Sequence, residues 1–392
     1  FITRFARYYT PCVVIAAVLL AFIPPLILKQ SITEWLNRAL IFLVVSCPCA
    51  LVISVPLSFF GGIGGASRRG ILIKGANYIE ALAKTDIVVF DKTGTLTKGS
   101  FTVSAIHPAG ISEASLLELA AAAESYSNHP IADSIIKAYG GKLDKSRVTS
   151  VTELPGHGIR AEIDGKTVLA GNDKLMRQFG ISFTGPSEVG TAVHITADNE
   201  YRGYIVISDT VKPDAGKAVE ALKNLGVSKT VILTGDAKRV GEEVGLKLNI
   251  DEVHTELLPD QKVLEVERLL GSKNSNKTLV FVGDGVNDAP VLARADVGIA
   301  MGTMGSQAAI EAADVVLTDD RPLKIAEAVS LSRKTLSIVR QNISFALTVK
   351  AVILVLSAVG HANMWLAVFA DVGVMVLAIM NAMRTLNRQR PA

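Results

Sequence analysis

Cysteine is scarce in this chain. Cys12, Cys47 and Cys49 are the three among 392 residues, too few to staple a protein of this size, which excludes a secreted disulfide framework. Neither sign of charge dominates. Lys plus Arg number 40 against 37 Asp plus Glu, a formal net charge of +3. With no polybasic tail, nothing supports a nucleic-acid scaffold, and no nucleic-acid partner is expected. Repeats and low-complexity tracts are missing. So is a signal peptide with a charged start and a small-residue cleavage site; the opening Phe1-Ile2-Thr3-Arg4 reads as part of something longer. The most informative shortage is local. Between Arg38 and Arg68 lie 29 residues without a charge, and between Arg340 and Arg384 lie 43 that carry only Lys350 and Asp371. Against 20% charged residues overall and a mean hydropathy of +0.38, the charges must be segregated. That argues against a uniformly soluble protein and for a membrane protein with a large water-soluble insert.

Four stretches are apolar enough to cross about 30 Å of hydrocarbon at 1.5 Å per residue. They are residues 11–28, 36–60, 345–360 and 364–383. Pro24-Pro25 is expected to cut the first short, and the third is close to minimum length. Arg4 and Arg7 precede the first span, Arg68, Arg69 and Lys74 follow the second, Arg333, Lys334 and Arg340 precede the third, and Arg384, Arg388 and Arg390 follow the fourth. The two connecting loops are short and nearly free of basic charge, so both hairpins point outward and everything from 68 to 340 is cytoplasmic. The expectation is a multi-pass protein of the cell membrane, a bacterial plasma membrane, with the lipid bilayer as a partner.

The insert alternates short β-branched strands with helical patterns, the rhythm of a parallel α/β sheet. Residues 87–90, 230–233 and 278–282 are buried strands by composition. Each runs into a polar loop: Asp91-Lys92-Thr93-Gly94-Thr95, Thr234-Gly235-Asp236, and Gly283-Asp284-Gly285-Val286-Asn287-Asp288. Open α/β sheets place ligands at the carboxyl ends of their strands, so three such loops describe one site. Asp91 at a strand end can attack phosphorus and form an aspartyl phosphate. Magnesium suits the hard oxygens around it, with Asp284 and Asp288 as acidic ligands. Thr234 and Gly235 offer a hydroxyl and an amide to phosphoryl oxygens, and Lys262 a compensating charge. Between 101 and 204 the pattern changes to mixed helices and hairpins, an inserted second domain. There, Gly165-Lys166-Thr167 imitates a phosphate-loop ending, but Arg160 stands where glycine is needed, and Asp164-Gly165 reads as a hairpin turn.

In the membrane, Cys47-Pro48-Cys49 lies in mid-span. Pro48 lacks an amide hydrogen, so it breaks the helical ladder and frees a carbonyl inside the bilayer. Two thiolates beside freed carbonyls make a soft cation site. Lys350 and Asp371 each oppose insertion by about 2.5–3.5 kcal/mol unless paired or functional. Counted from the outer loop they lie roughly 16 and 12 Å deep, against about 18 Å for Cys47. All of these groups can meet near mid-membrane. Asp371 adds a hard oxygen to two soft sulfurs, a mixture that a borderline divalent ion tolerates. Lys350 can neutralise Asp371 once a metal leaves.

Asp91-Lys92-Thr93-Gly94-Thr95-Leu96-Thr97, Thr234-Gly235-Asp236, Pro259-Asp260-Gln261-Lys262 and Gly283–Pro290 together resemble a P-type ATPase, and the likeness runs from the first span to the last. It implies a multi-domain α/β protein with four membrane helices. The sheet would be a haloacid-dehalogenase-like phosphorylation domain in two segments, 85–100 and 205–335, with a nucleotide-binding α+β domain inserted at 101–204. Residues 1–84 would hold two spans and a connector, and 336–392 the last two spans and a tail. By that likeness Asp91 is phosphorylated by ATP, with catalytic positions at Asp91, Lys92, Thr93, Thr234, Gly235, Asp236, Lys262 and Asn287, and magnesium at Asp91, Thr93, Asp284 and Asp288. Glu124, Ser127-Asn128-His129-Pro130, Gly156-His157-Gly158 and Gly171-Asn172 resemble the nucleotide-binding set of the heavy-metal subgroup, with Glu124 and His129 near adenine. Asp209 is followed by Lys212 where the pattern has arginine, which leaves that nucleotide contact open.

Cys47, Cys49, Lys350 and Asp371-Val372-Gly373 look like the exporters of zinc, cadmium and lead. The Asn-Tyr and Met-Ser-Ser patterns of copper members are absent, and cobalt members usually show Ser-Pro-Cys. Monovalent copper export, or a membrane-tethered phosphohydrolase without transport, are the alternatives. The family also uses an actuator domain with a Thr-Gly-Glu loop, and no Thr-Gly-Glu occurs in this sequence. The expectation is a C-terminal portion of a pump whose phosphoenzyme would hydrolyse slowly.

Overall fold

The computed structural model describes residues 2–386 apart from 30, 48, 128, 186–189, 285–287, 303–306, 360 and 362. In lipid every backbone amide must find its partner inside its own segment, so apolar runs become helices. α1 (Ile2–Leu28) passes through Pro11, Pro24 and Pro25 without ending, so the prolines do not shorten the first span as expected. α2 (Ile32–Val45) and α3 (Cys49–Ser67) form the second span, interrupted between Val45 and Cys49. Pro48, the expected breaker, lies outside the described residues, but the break brackets it.

β1 (Ile71–Ile73), α4 (Ala76–Ala83) and β2 (Thr85–Asp91) follow. β2 is apolar and buried from Ile87 to Phe90, as a central parallel strand must be. The chain then leaves along β3 (Thr97–Pro108) into a second unit: α5 (Glu113–Ala123), α6 (Pro130–Tyr139), β4 (Val148–Leu154), β5 (Gly158–Ile163), β6 (Lys166–Gly171), α7 (Asp173–Gln178), β7 (Thr191–Ala197) and β8 (Glu200–Val211). Its six strands pair antiparallel in the order β3-β8-β7-β6-β5-β4. β3 and β8 pair from Thr97↔Val211 to Pro108↔Gly203, so the unit begins and ends within strands that reach beyond 101 and 204. Asp164 and Gly165, with φ of 52° and 75°, turn the hairpin that aligns Ile163 with Lys166. The phosphate-loop imitation is a turn.

The return path supplies α8 (Ala215–Asn224), β9 (Lys229–Leu233), α9 (Lys238–Lys247), β10 (Glu252–His254), α10 (Pro259–Ser272), β11 (Thr278–Gly283), α11 (Ala289–Arg294), β12 (Val297–Met301), α12 (Gln307–Ala312) and β13 (Val315–Leu317). These complete a seven-stranded sheet of order β1-β13-β12-β11-β2-β9-β10, parallel except where β1 pairs β13. β1 and α4, read from sequence as connector, add to this domain.

α13 (Leu323–Val359) is one helix of 37 residues. Its first turns place Ile325, Ala328 and Val329 in the same core as Val88, Phe90 and Val280, and its far half holds the third span. Arg333 on α13 donates to the carbonyls of Ala83, Thr85 and Leu225. That guanidinium satisfies the ends of α4 and α8 and ties the helix to the start of β2. α14 (Met364–Val368), a widened turn at Phe369–Gly373 and α15 (Val374–Ala382) close the bundle. Among the described residues four stretches are long and apolar enough to span a membrane: Pro11–Leu28, Ile32–Ser67, Leu323–Ser357 and Trp365–Thr385.

Candidate active site and membrane metal centre

β2 lies between β11 and β9, all parallel, so the carboxyl ends of the three strands bring Asp91, Asp284 and Thr234 to one place. Carboxylate oxygens of Asp91, Asp284 and Asp288 lie within 4.8 Å of one another. Lys262 Nζ, from the first turn of α10, donates to Asp91 Oδ1 at 2.5 Å and to Asp288 Oδ1 at 3.1 Å. Burial first, then the Asp288 charge, push the Asp91 carboxyl up to about 7 against the pull of Lys262. Asp284 is pushed up to about 6 by burial and Asp288. Burial alone would lower Lys262, yet Asp91 and Asp288 hold it above its ordinary value. Three carboxylates around one ammonium leave negative charge over, and hard oxygens at this spacing fit magnesium.

The loop after β2 rides against the loop after β11. Gly94 has φ +74°, and a Cβ there would meet Asp284 Oδ2 at 1.7 Å, so only glycine fits. Lys92 is buried and pairs with Asp236 at 2.5 Å and Asp209 at 3.9 Å. Thr234 Oγ1 donates to Asp236 Oδ2 at 2.9 Å and accepts from the Asp236 amide at 3.1 Å. Lys92 and Asp236 thereby lock two loops together, while Thr93 and Gly235 stay exposed at the mouth. Asn287 lies outside the described residues. Lys212 is buried; its Nζ donates to the Gly94 carbonyl and pairs with Asp320 at 3.3 Å. The residue in doubt as a nucleotide contact thus serves the loop of Asp91. Asp320 went unnoticed in the sequence, although it follows the apolar β13 much as Asp91 ends β2.

In the inserted unit Glu124 caps the end of α5 and is buried. Burial, then the charge of Glu153, push it up to about 7. Beside it opens a cleft of about 480 Å³ lined by Tyr126, Ser127, Val151, Glu153 and Ile159 among others. Tyr126 and Glu153 were not singled out from sequence, because a lone aromatic and a lone strand carboxylate carry no pattern. His129 is exposed and caps α6, its Nδ1 accepting from the Ile131 amide at 3.2 Å; Asn128 lies outside the described residues. The glycines divide. Space beside Gly156 is open, whereas a Cβ on Gly158 would meet the Ala170 carbonyl at 2.2 Å, so Gly158 serves strand pairing. Asn172 Nδ2 donates to the Gly156 carbonyl at 2.9 Å, and its Oδ1 caps α7.

In the membrane, sulfur or carboxylate ligand atoms of Cys47, Cys49 and Asp371 lie within 4.8 Å of one another. Lys350 Nζ donates to the carbonyls of Val45, at 3.0 Å, and Cys47, and to Asp371 Oδ1 at 3.4 Å. The depths counted from sequence therefore meet. The ammonium sits on carbonyls beside the helix break, and Asp371 sits on the widened turn, an interruption of the kind that marks functional sites in helices. One correction concerns the sulfurs. Cys47 and Cys49 are joined as a disulfide, not held as two thiolates. Ligation requires the reduced pair.

Residues 85–296 match the family model of the haloacid dehalogenase-like hydrolases, and the chain belongs to that family. Over 98% of its length it is 56% identical to the cadmium, zinc and cobalt-transporting ATPase of Bacillus subtilis (strain 168), covering 55% of that protein. It is 53% identical to the zinc-transporting ATPase of Synechocystis sp. (strain ATCC 27184 / PCC 6803 / Kazusa), again over 98% of this chain and 53% of the relative. The crystal structure of a zinc-transporting PIB-type ATPase in its E2.Pi state superposes with a TM-score of 0.88 at 40% identity, covering 99% of this chain and 64% of that one. The likeness to heavy-metal P-type ATPases carried by the motifs holds from end to end. The chain spans about half the length of the curated relatives it matches.

Proposed function

We propose that this chain is the phosphorylation, nucleotide-binding and cargo-site portion of an ATP-driven exporter of zinc, cadmium or lead. The observation that carries the reading is the coexistence of two clusters in one molecule: three carboxylates at Asp91, and two sulfurs with a carboxylate in the membrane. α13 joins them, packing in the sheet's core at one end and carrying Lys350 at the other. A tethered phosphohydrolase would have no use for the second cluster. Cobalt, disfavoured by the Cys-Pro-Cys pattern, belongs among the ions to test, since the Bacillus relative is named for it.

In this reading the ionised Asp91 carboxylate attacks the γ-phosphorus of ATP. An O–P bond forms to Asp91 as the bond to the bridging oxygen breaks, and ADP departs with that electron pair. Lys262 offsets the charge gathered on Asp91 and Asp288, and the Thr234 hydroxyl and Gly235 amide face the phosphoryl oxygens. Lys92 and Asp236 hold the two loops in register, and Asn287 completes the set by its place in the motif. Magnesium, when held by Asp91, Asp284 and Asp288 with Thr93 beside them, supplies positive charge that favours ionised Asp91. ATP occupies the cleft beside Glu124 and His129, with Gly156 open to the phosphates and Gly158 and Asn172 shaping that turn. Cytoplasmic placement of these domains follows from the basic residues flanking the spans. In the membrane the reduced Cys47 and Cys49 with Asp371 take the cargo, and Lys350 returns to Asp371 and the freed carbonyls when it leaves.

The test is labelling by γ-phosphate of ATP in the presence of zinc. Labelling of the chain, lost in Asp91→Asn with zinc binding retained, is the expected result. Acyl-phosphate surviving in Asp91→Asn would overturn the assignment of the nucleophile.

A further inference from the structure

One face of α3 carries a small residue at every turn, two of them serines: Ala50, Ser54, Ser58 and Gly62 are all buried. Below the metal centre this face meets a chain of amides. Asn342 Nδ2 donates to the Ala378 carbonyl at 3.0 Å and approaches Ser58 Oγ at 3.4 Å. Asn381 Nδ2 donates to Asn342 Oδ1 at 2.9 Å, and Arg384 Nη1 donates to Asn381 Oδ1 at 2.8 Å. The chain of polar groups thus reaches an exposed arginine at the cytoplasmic end of the bundle.

Ser54 stands between that chain and Cys49. It is wholly buried, and its hydroxyl has no hydrogen-bond partner among the described residues. Buried serines in membrane helices usually return to a carbonyl one turn back, as Ser46 does to Phe42 and Ser58 to Ser54. Ser54 does not. At 1.5 Å per residue it lies about 7 Å to the cytoplasmic side of Cys49, while Ser58 lies about 13 Å and Asn342 about 12 Å from the level of the ligands.

We propose that the Ser54 hydroxyl is an oxygen ligand through which a divalent cation passes between the Ser58–Asn342 network and the Cys47–Cys49–Asp371 cluster. The proposal rests on the cargo-site reading above. A cation leaving water for the bilayer interior needs replacement oxygens at each step. A single neutral hydroxyl holds zinc or cadmium far less firmly than thiolates and a carboxylate, so it eases passage without competing for the ion. Small residues alone would explain the close approach of the helices, but close approach needs no hydroxyl. Alanine would pack as well and would remove the penalty of an unsatisfied buried group. Packing and passage therefore make opposite demands on this position.

The experiment follows cadmium binding to the reduced chain in lipid nanodiscs by stopped-flow, through the ultraviolet absorption of cadmium–thiolate bonds. Ser54→Ala is expected to slow association and dissociation alike by about tenfold, with an unchanged equilibrium constant and undiminished thermal stability. Ser54→Thr, which keeps a hydroxyl, should restore most of the rate. Unchanged rates in Ser54→Ala, or a change in affinity alone, would overturn the passage role while leaving the metal centre in place. Absence of a thiolate signal in the unsubstituted chain would instead remove the cargo-site reading, and the passage role with it.

Discussion

The two charged centres of this molecule are built by opposite means. Around Asp91 the strands are regular to their ends, and the site gathers where adjacent parallel strands end together. In the membrane the site exists because regular structure fails, between Val45 and Cys49 and again at the widened turn of Phe369–Gly373. Strand ends leave backbone and side-chain groups free without interrupting the sheet. A helix in lipid satisfies every amide internally, so groups become available only where it is interrupted. The charge balance differs too. Lys92, Lys212 and Lys262 stand among a larger number of carboxylates, whereas Lys350 faces Asp371 as a single pair.

The sharpest way to break the comparison is to disable one centre chemically. Oxidation of Cys47–Cys49, or Cys47→Ser in the reduced protein, is expected to abolish cadmium binding while nucleotide affinity stays unchanged. Equilibrium dialysis with and without reductant measures this, and equal binding by the oxidised chain would show that the sulfurs are not ligands. Asp371→Ala should cost less, roughly 10–100-fold in metal affinity, since the thiolates remain. Isothermal titration of zinc and of ATP in parallel decides it; an equal loss for both would point to misfolding rather than to ligation.

A third contrast tests burial in the inserted unit, away from both centres. Glu124 keeps its proton to about 7 when folded and loses it near 4.5 when unfolded. Between those values the folded chain binds the extra proton, so stability falls as pH rises across the window and is level above it. The shift corresponds to a change on the order of 3 kcal/mol. Glu124→Gln removes that slope, so the variant should gain on the wild type from pH 4.5 to 7 in thermal melts. A difference independent of pH would mean that the carboxyl is solvated.

Much of this was legible in residue order. An apolar strand running into a polar loop marked Asp91, Thr234 and Asp284, because a short apolar run bounded by turn residues is a local pattern. Charges inside apolar runs marked Lys350 and Asp371, because their insertion cost is a property of composition. Less visible were Asp320, Tyr126 and Glu153, and the part played by Lys212, each given meaning only by what packs beside it. Pro24 and Pro25 misled for a related reason: in water their missing amide hydrogens end a helix, but lipid offers the backbone no alternative.

The amino-acid sequence by itself determined the number of apolar spans, the parallel α/β class of the insert, the acidic strand end at Asp91 and the meeting of two sulfurs with the carboxylate of Asp371. Each follows from local order, from periodicity, or from the cost of placing a residue type in a given medium. Tertiary structure alone decided that α13 is one helix from sheet to membrane, that Lys212 serves the Asp91 loop, that Gly94 is pressed against Asp284, and that the Ser54 hydroxyl is buried without a hydrogen-bond partner among the described residues. Those facts depend on which surfaces meet. Contacts between residues far apart in the chain are settled only when the whole core packs.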